Sequence, residues 1–175
     1  MTTFKTTHFI PSKHQPQILS SPITRILAVA HEQQVDTNHW CFYLQTSPES
    51  SICLDCQPSY SVPSTAIQGG SKANLILSEL LYLLPPGVQA HFALDVVPGL
   101  TVAGVYEKLV EHGRHEYEFD SKGVGCRFWV TEQMDLLLRL GVVTDEKQVS
   151  AAKEGILLLW PDQTPNPLDQ GAYYQ

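Results

Sequence analysis

One thiol, one imidazole and one carboxylate are the residues of this chain whose types and order could do chemistry together. Cys126 stands in "GVGCRFWV", directly after glycines and directly before an apolar pattern of helical period. Glycines let the chain turn tightly and leave room beside the sulfur. A helix opening at Cys126 would aim free backbone N–H groups and a partial positive charge at it, which favours the nucleophilic thiolate. The same N–H groups could hold the oxygen of a tetrahedral intermediate. A packing role competes with this. Cys126 shares a helical face with Trp129, Val130, Gln133, Met134 and Leu137, and buried free cysteines are common and usually inert.

A nucleophilic thiol needs a base within reach, and the base needs a third group to fix its tautomer. In "NHWCFYL" His39 opens an aromatic, strand-like run. In "ICLDC" Asp55 is an acid inside an otherwise apolar segment, where an ionised carboxylate is costly unless paired. If the two segments form a hairpin, His39 is a suitable partner for Asp55.

The order of a His strand, a polar group on the next strand and a late Cys at a helix start resembles the circularly permuted papain-like proteins, the lecithin-retinol-acyltransferase and NlpC-type superfamily. "HWCFYL" looks like their H-x-G-hydrophobic-Tyr-Leu strand, and "GCRFWV" like their N-C-x-x-F-V helix start. The resemblance implies Cys126 as nucleophile, His39 as base and Asp55 as orienting group. Gly125 stands where that superfamily often has Asn, and Trp40-Cys41 replaces a small pair. Over about residues 20 to 142 the chain also resembles an uncharacterised fungal family with NHW-x-FYL and GCR-[FY]-WV segments.

Other groupings are weaker. Cys53-x-x-Cys56 has the spacing of half a zinc site, which only Cys41 and His39 could complete. A strand would point Cys53 and Cys56 to opposite faces, so no metal is assigned. His115 in "GRHEYEFD" and His91 in "AHFALDVV" fit half-buried strands. "QGGSK" lacks phosphate-loop spacing, and no dinucleotide, G-x-S-x-G or H-E-x-x-H motif occurs. No cofactor is expected.

The elements that must position these groups follow from patterning. Residues 1–22, with three prolines and no periodicity, read as an extended N-terminal arm. A single domain is expected over 23–160, followed by a Pro-rich tail over 161–175. "ITRILAVA" (23–30), "HWCFYLQ" (39–45), "ICLDC" (52–56), "AHFALDVV" (90–97) and "HEYEF" (115–119) read as strands, with "TSPESS" as the turn of a hairpin. A loop of about a dozen residues is expected across Pro58, Pro63, Gly69 and Gly70. "ANLILSELLYLL" (73–84) fits helix or strand equally. Helices are predicted after Thr101 up to Gly113, from Cys126 up to Gly141, and over about 145–159. The sum is an α+β fold, an antiparallel sheet packed against a few helices. The resemblance adds the permuted papain-like arrangement.

The chain has 175 residues, 43% hydrophobic and 17% charged, enough for one sizeable core. Its formal charge of −7 and scattered basic residues argue against nucleic acid or an anionic membrane surface as a partner. No run reaches the ~18 apolar residues of a membrane span. The opening MTTFKTTHFIPSK lacks a secretory apolar run, and four cysteines in this length are not a disulfide framework, so a cytoplasmic location is expected. Oligomeric state is not legible.

Three functions are compatible with these observations. The first is a thiol enzyme, a hydrolase or acyltransferase on an amide, ester or thioester. The second is a cyclase or auxiliary protein of fungal secondary-metabolite biosynthesis, holding an apolar small molecule without covalent chemistry. Trp40, Phe42, Tyr60 and Trp129 are the expected substrate-binding residues of a pocket between helix and hairpin. The third is a plain interaction domain.

Overall fold

The structure, a computed structural model, describes residues 3–174. The sequence Arg25–Gln34 (β2), Thr37–Ser47 (β3), Ser50–Pro63 (β4) and Ser71–Leu80 (β5) makes the centre of an eight-stranded sheet, preceded by Thr7–Ile10 (β1) and followed by Ala90–Asp95 (β6), Tyr117–Phe119 (β7) and Ala172–Tyr173 (β10). The order across the sheet is β10-β7-β5-β4-β3-β2-β6. All pairings are antiparallel except β1, which lies parallel to β5. Among the described residues the α-helices are Gln15–Ser20 (α1), Val102–Glu111 (α2), Cys126–Arg139 (α3) and Glu146–Ile156 (α4). Leu158–Leu159 (β8) and Thr164–Pro165 (β9) form a separate short ladder.

Strand alternation sorts the core. Trp40, Phe42 and Leu44 of β3 point to the helix side and join the main cluster with Trp129, Val130 and Met134 of α3. Cys41 and Tyr43 point to the back, where Leu27, Val29 and the segment carrying Leu83, Leu84 and Val88 cover them. α2 begins at Thr101, whose hydroxyl accepts from Gly104 N–H, and α4 begins at Asp145, which accepts from Lys147 and Gln148. Gly113 and Gly141, both at positive φ, follow α2 and α3 as the sequence predicts.

The N-terminal segment differs from the expected arm. It contains β1, a 3-10 turn and α1, and Ile18 is completely buried. Its elements are too short to show a period, and pairing with β5 supplies what local sequence lacks. The tail expected from residue 161 likewise contains β9 and β10, the latter paired with β7. The ambiguous 73–84 segment is strand to Leu80, with Ala73, Leu75 and Leu77 buried in alternation between β4 and its other neighbours. The loop expected from Pro58 is shorter, because β4 continues to Pro63 through an irregularity in its register with β5 at which Tyr60 adopts positive φ. There β4 has left β3, so a proline costs no ladder bond on that edge. Among the described residues no helix is long and apolar enough to cross a membrane.

Candidate functional site

The β3–β4 ladder runs from Ser47/Ser50 to Phe42/Leu54 and stops. Beyond it β3 continues beside β2, and β4 continues beside β5 as far as Pro63. Separating two strands leaves backbone donors without ladder partners. The first residue of α3 enters this opening: the N–H of Trp40 points to Cys126 Sγ at 3.5 Å. The sequence-predicted thiol and histidine strand therefore meet, 86 positions apart.

Gly125 makes that entry possible. Its φ is +148°, and a Cβ added to it would lie 3.2 Å from Phe119 and 3.3 Å from the Tyr117 hydroxyl. A larger residue, including the Asn expected from the papain-like resemblance, would be strained there. Tyr117 Oη donates to Gly125 O at 2.7 Å, tying β7 to the turn. On the other side Arg127, almost fully buried, donates through Nε to Ile156 O at 2.9 Å and through a terminal nitrogen to Pro167 O at 2.9 Å, with a further contact to Asn166 O. The start of α3 is thus held from both flanks, and Cys126 is 7% exposed.

His39 Nε2 lies 2.6 Å from Asp55 Oδ1, and Gln57 Nε2 donates to Asp55 Oδ2 at 2.6 Å. Asp55 is buried, so both its oxygens find partners, as a carboxylate in that position requires. Burial by itself would lower the histidine's pKa. The hydrogen bond and charge of Asp55, joined by the Cys126 thiol, outweigh burial and raise it well above the usual histidine value. Burial would correspondingly raise Asp55, but His39 and Gln57 hold it below its ordinary range. The favoured state is an imidazolium–carboxylate pair beside a sulfur.

Behind this trio stands a second group of donors. Alternation along β2 places His31 on the back face with Leu27 and Val29, where its Nε2 is 3.3 Å from Cys41 Sγ and 3.2 Å from Tyr43 Oη. Burial and the charge of His39 lower the His31 pKa. Cys41 Sγ is 3.9 Å from Cys53 Sγ, and this contact together with burial pushes the Cys41 thiol up.

A cleft of about 940 Å³ opens over these groups. His31, His39, Tyr43, Asp55 and Cys126 contribute to its lining, and Tyr60 with Gly123 forms part of its wall. Glu32, Asp36, Asp120 and Asp169 also line it, against the single lysine Lys122. Tyr60 thus lies at the cleft. Trp40, Phe42 and Trp129 are not: all three are buried in the main core, on the helix side of the sheet. Alternation along β3 sends Trp40 and Phe42 away from the face that carries His39, and Trp129 packs on Phe42 with ring centroids 6.1 Å apart. His91 and His115 lie outside the cleft. Cys53 and Cys56 diverge to the back cluster and the main core.

Sequence reasoning missed His31, Arg127, Tyr117 and Gln57. Gln57 was reachable, since two residues after Asp55 on a strand means the same face. His31 lies one residue past the strand expected over 23–30, and carrying alternation on from Val29 would have put it on the same face.

A family model described as a domain of unknown function (DUF7770) matches residues 25–174. No curated protein and no solved structure matches the chain.

Proposed function

This chain belongs to the DUF7770 family, and we propose that it is a thiol enzyme, a hydrolase or acyltransferase acting on an amide, ester or thioester through Cys126 and His39. One observation carries the reading: His39 is bonded to a buried carboxylate and feels the Cys126 thiol, while that sulfur sits at a helix start under the Trp40 N–H. A packing cysteine has no need of such neighbours.

In the proposed reaction the Cys126 sulfur attacks the carbonyl carbon, and its proton resides on His39. The carbonyl π electrons move to oxygen, and backbone N–H groups at the start of α3 can hold that negative charge. Collapse of the tetrahedral adduct breaks the bond to the amine, alcohol or thiol leaving group, which takes the proton from His39. The thioester then yields to water or to a second nucleophile, deprotonated by the same imidazole. Asp55 holds the ring oriented throughout, with Gln57 holding Asp55.

The division of labour is the one expected from the likeness to permuted papain-like proteins. The acidic rim supports a polar or cationic substrate over a long acyl chain. The reading of a secondary-metabolite cyclase rested on an apolar aromatic pocket, and with three of its four aromatics in the core no observation favours it.

The test is covalent labelling. Iodoacetamide near neutral pH, followed by peptide mapping, is expected to modify Cys126 ahead of Cys41, Cys53 and Cys56, and more slowly in His39→Ala. A Cys126 no faster than the three other thiols overturns the proposal.

A further inference from the structure

The face of the sheet behind the cleft floor gathers donors from three adjacent strands. His39, Cys41 and Asp55 place one ligating atom each within 4.8 Å of one another. His31 adds a ring nitrogen 3.3 Å from the Cys41 sulfur. We propose that His31, His39, Cys41 and Asp55 form a binding site for a zinc-type divalent cation, and that the bound ion switches off the thiol centre.

The ligating atoms of His39, Cys41 and Asp55 need only small movements, and His31 joins them at its Cys41 edge. Zinc bonds of about 2.3 Å to sulfur and 2.0 Å to nitrogen place tetrahedral ligand atoms roughly 3.5 Å apart. The His31–Cys41 edge, at 3.3 Å, is already near that value. The His39–Asp55 edge, at 2.6 Å, must open by somewhat under ~1 Å as the ion replaces their shared hydrogen bond. Thiolate, imidazole and carboxylate together suit zinc, with cobalt as its spectroscopic substitute, better than magnesium or calcium, which prefer all-oxygen shells. His31, His39 and Asp55 line the cleft, so the ion has a route from solvent. Tyr43 Oη, 3.2 Å from His31 Nε2, would yield that nitrogen to the metal.

The Cys53-x-x-Cys56 spacing fails as a chelate because strand alternation separates the two sulfurs. The same alternation puts residues of neighbouring strands on one face. Cys41 and Asp55 occupy positions that would face each other one step beyond the Phe42–Leu54 pair, and His39 is one strand step from Cys41.

Binding the ion exchanges protons: the Cys41 thiol releases one, and His39 must give up its Nε2 proton to coordinate. A neutral ring ligated through Nε2 carries its remaining hydrogen on Nδ1. With the ion in place of the His39–Asp55 hydrogen bond, the carboxylate no longer orients the ring toward Cys126. This inhibitory consequence rests on the proposed thiol activity. The binding itself does not.

The experiment is a titration of the full-length protein with Co²⁺ and Zn²⁺ after removal of metals with a chelator. One equivalent of Co²⁺ is expected to give tetrahedral d–d bands and a thiolate-to-cobalt charge-transfer band, displaced by Zn²⁺. The bands should persist in Cys126→Ser and lose their charge-transfer component in Cys41→Ser. His31→Asn should weaken binding at least about tenfold, which keeps the test valid if Cys41→Ser does not fold. Absence of stoichiometric binding, or a charge-transfer band lost in Cys126→Ser and kept in Cys41→Ser, overturns the site. In the same samples Zn²⁺ should halt Cys126 alkylation, and chelation should restore it. Undiminished alkylation of the zinc-bound protein overturns the switch. A Cys126 that is unreactive without metal counts against the thiol enzyme while the cobalt spectrum still reports on the site.

Discussion

The backbone N–H of Trp40 meets the sulfur of Cys126 at 3.5 Å, in the opening where β3 parts from β4. The main chain of the histidine strand thereby touches the thiol directly. The positions of His39 and Cys126 are then coupled through one residue, and disturbing either strand or helix start disturbs both.

Gly125 is the residue on which this contact depends most. Gly125→Ala keeps the side chain small but must adopt φ near +148° against Phe119 and Tyr117. Cys126 labelling by iodoacetamide should fall several-fold in this variant while the far-ultraviolet circular dichroism stays that of the wild type. Unchanged labelling would mean that the turn does not place the sulfur.

Asp55→Asn tests orientation. The amide can no longer hold an imidazolium, so acyl-transfer turnover should fall by roughly 10²-fold or more, with KM little changed. Measuring both constants separates a lost orienting group from lost substrate binding.

The same pair makes stability depend on pH in a definite direction. Asp55 is held below its ordinary 3.8, so its contribution is complete above that value and fades as pH falls through the lowered folded pKa. His39 is held above its ordinary 6.5, so its contribution is complete below that value and fades as pH rises through the raised folded pKa. Both are therefore fully present between 3.8 and 6.5. Urea denaturation of wild type and Asp55→Asn across pH should show the largest gap in that mildly acidic window and a narrowing gap above it.

Trp129 and Tyr60 should separate packing from recognition. Trp129→Ala removes a fully buried ring from the main core and should cost about 3–5 kcal/mol in denaturant unfolding. Tyr60 is 74% exposed, so Tyr60→Ala should change stability by no more than about 0.5 kcal/mol while altering KM.

The N-terminal segment is part of the fold. Ile18→Ala should lower unfolding free energy by about 2–5 kcal/mol, because the side chain is completely buried. A change within error would return residues 7–20 to the role of an appendage.

Local patterns carried a good deal of this protein. Apolar and aromatic runs of strand length announced β2, β3, β4 and β6, and glycine and proline marked where elements end. Thr101 and Gly113 bracketed α2, while the glycines before Cys126 marked the start of α3. These signals were legible because they are properties of a few consecutive residues: steric limits on the backbone, capping donors and side-chain alternation.

The residue types at the site were also legible, since an acid such as Asp55 in an apolar strand asks for a partner. Which face they would share was not. Trp40, Phe42 and Trp129 look like pocket walls until the sheet's orientation against α3 is known. His31 joins the site because β2 runs on past Ala30 to Gln34, and β1 and β10 exist only because β5 and β7 are there to pair with. Sequence alone determined the longer strands and helices and the candidate residues Cys126, His39 and Asp55, because these are written in neighbouring residues. Tertiary structure decided which groups meet, because the parting of two strands and the insertion of a helix start between them depend on contacts among residues far apart in the chain.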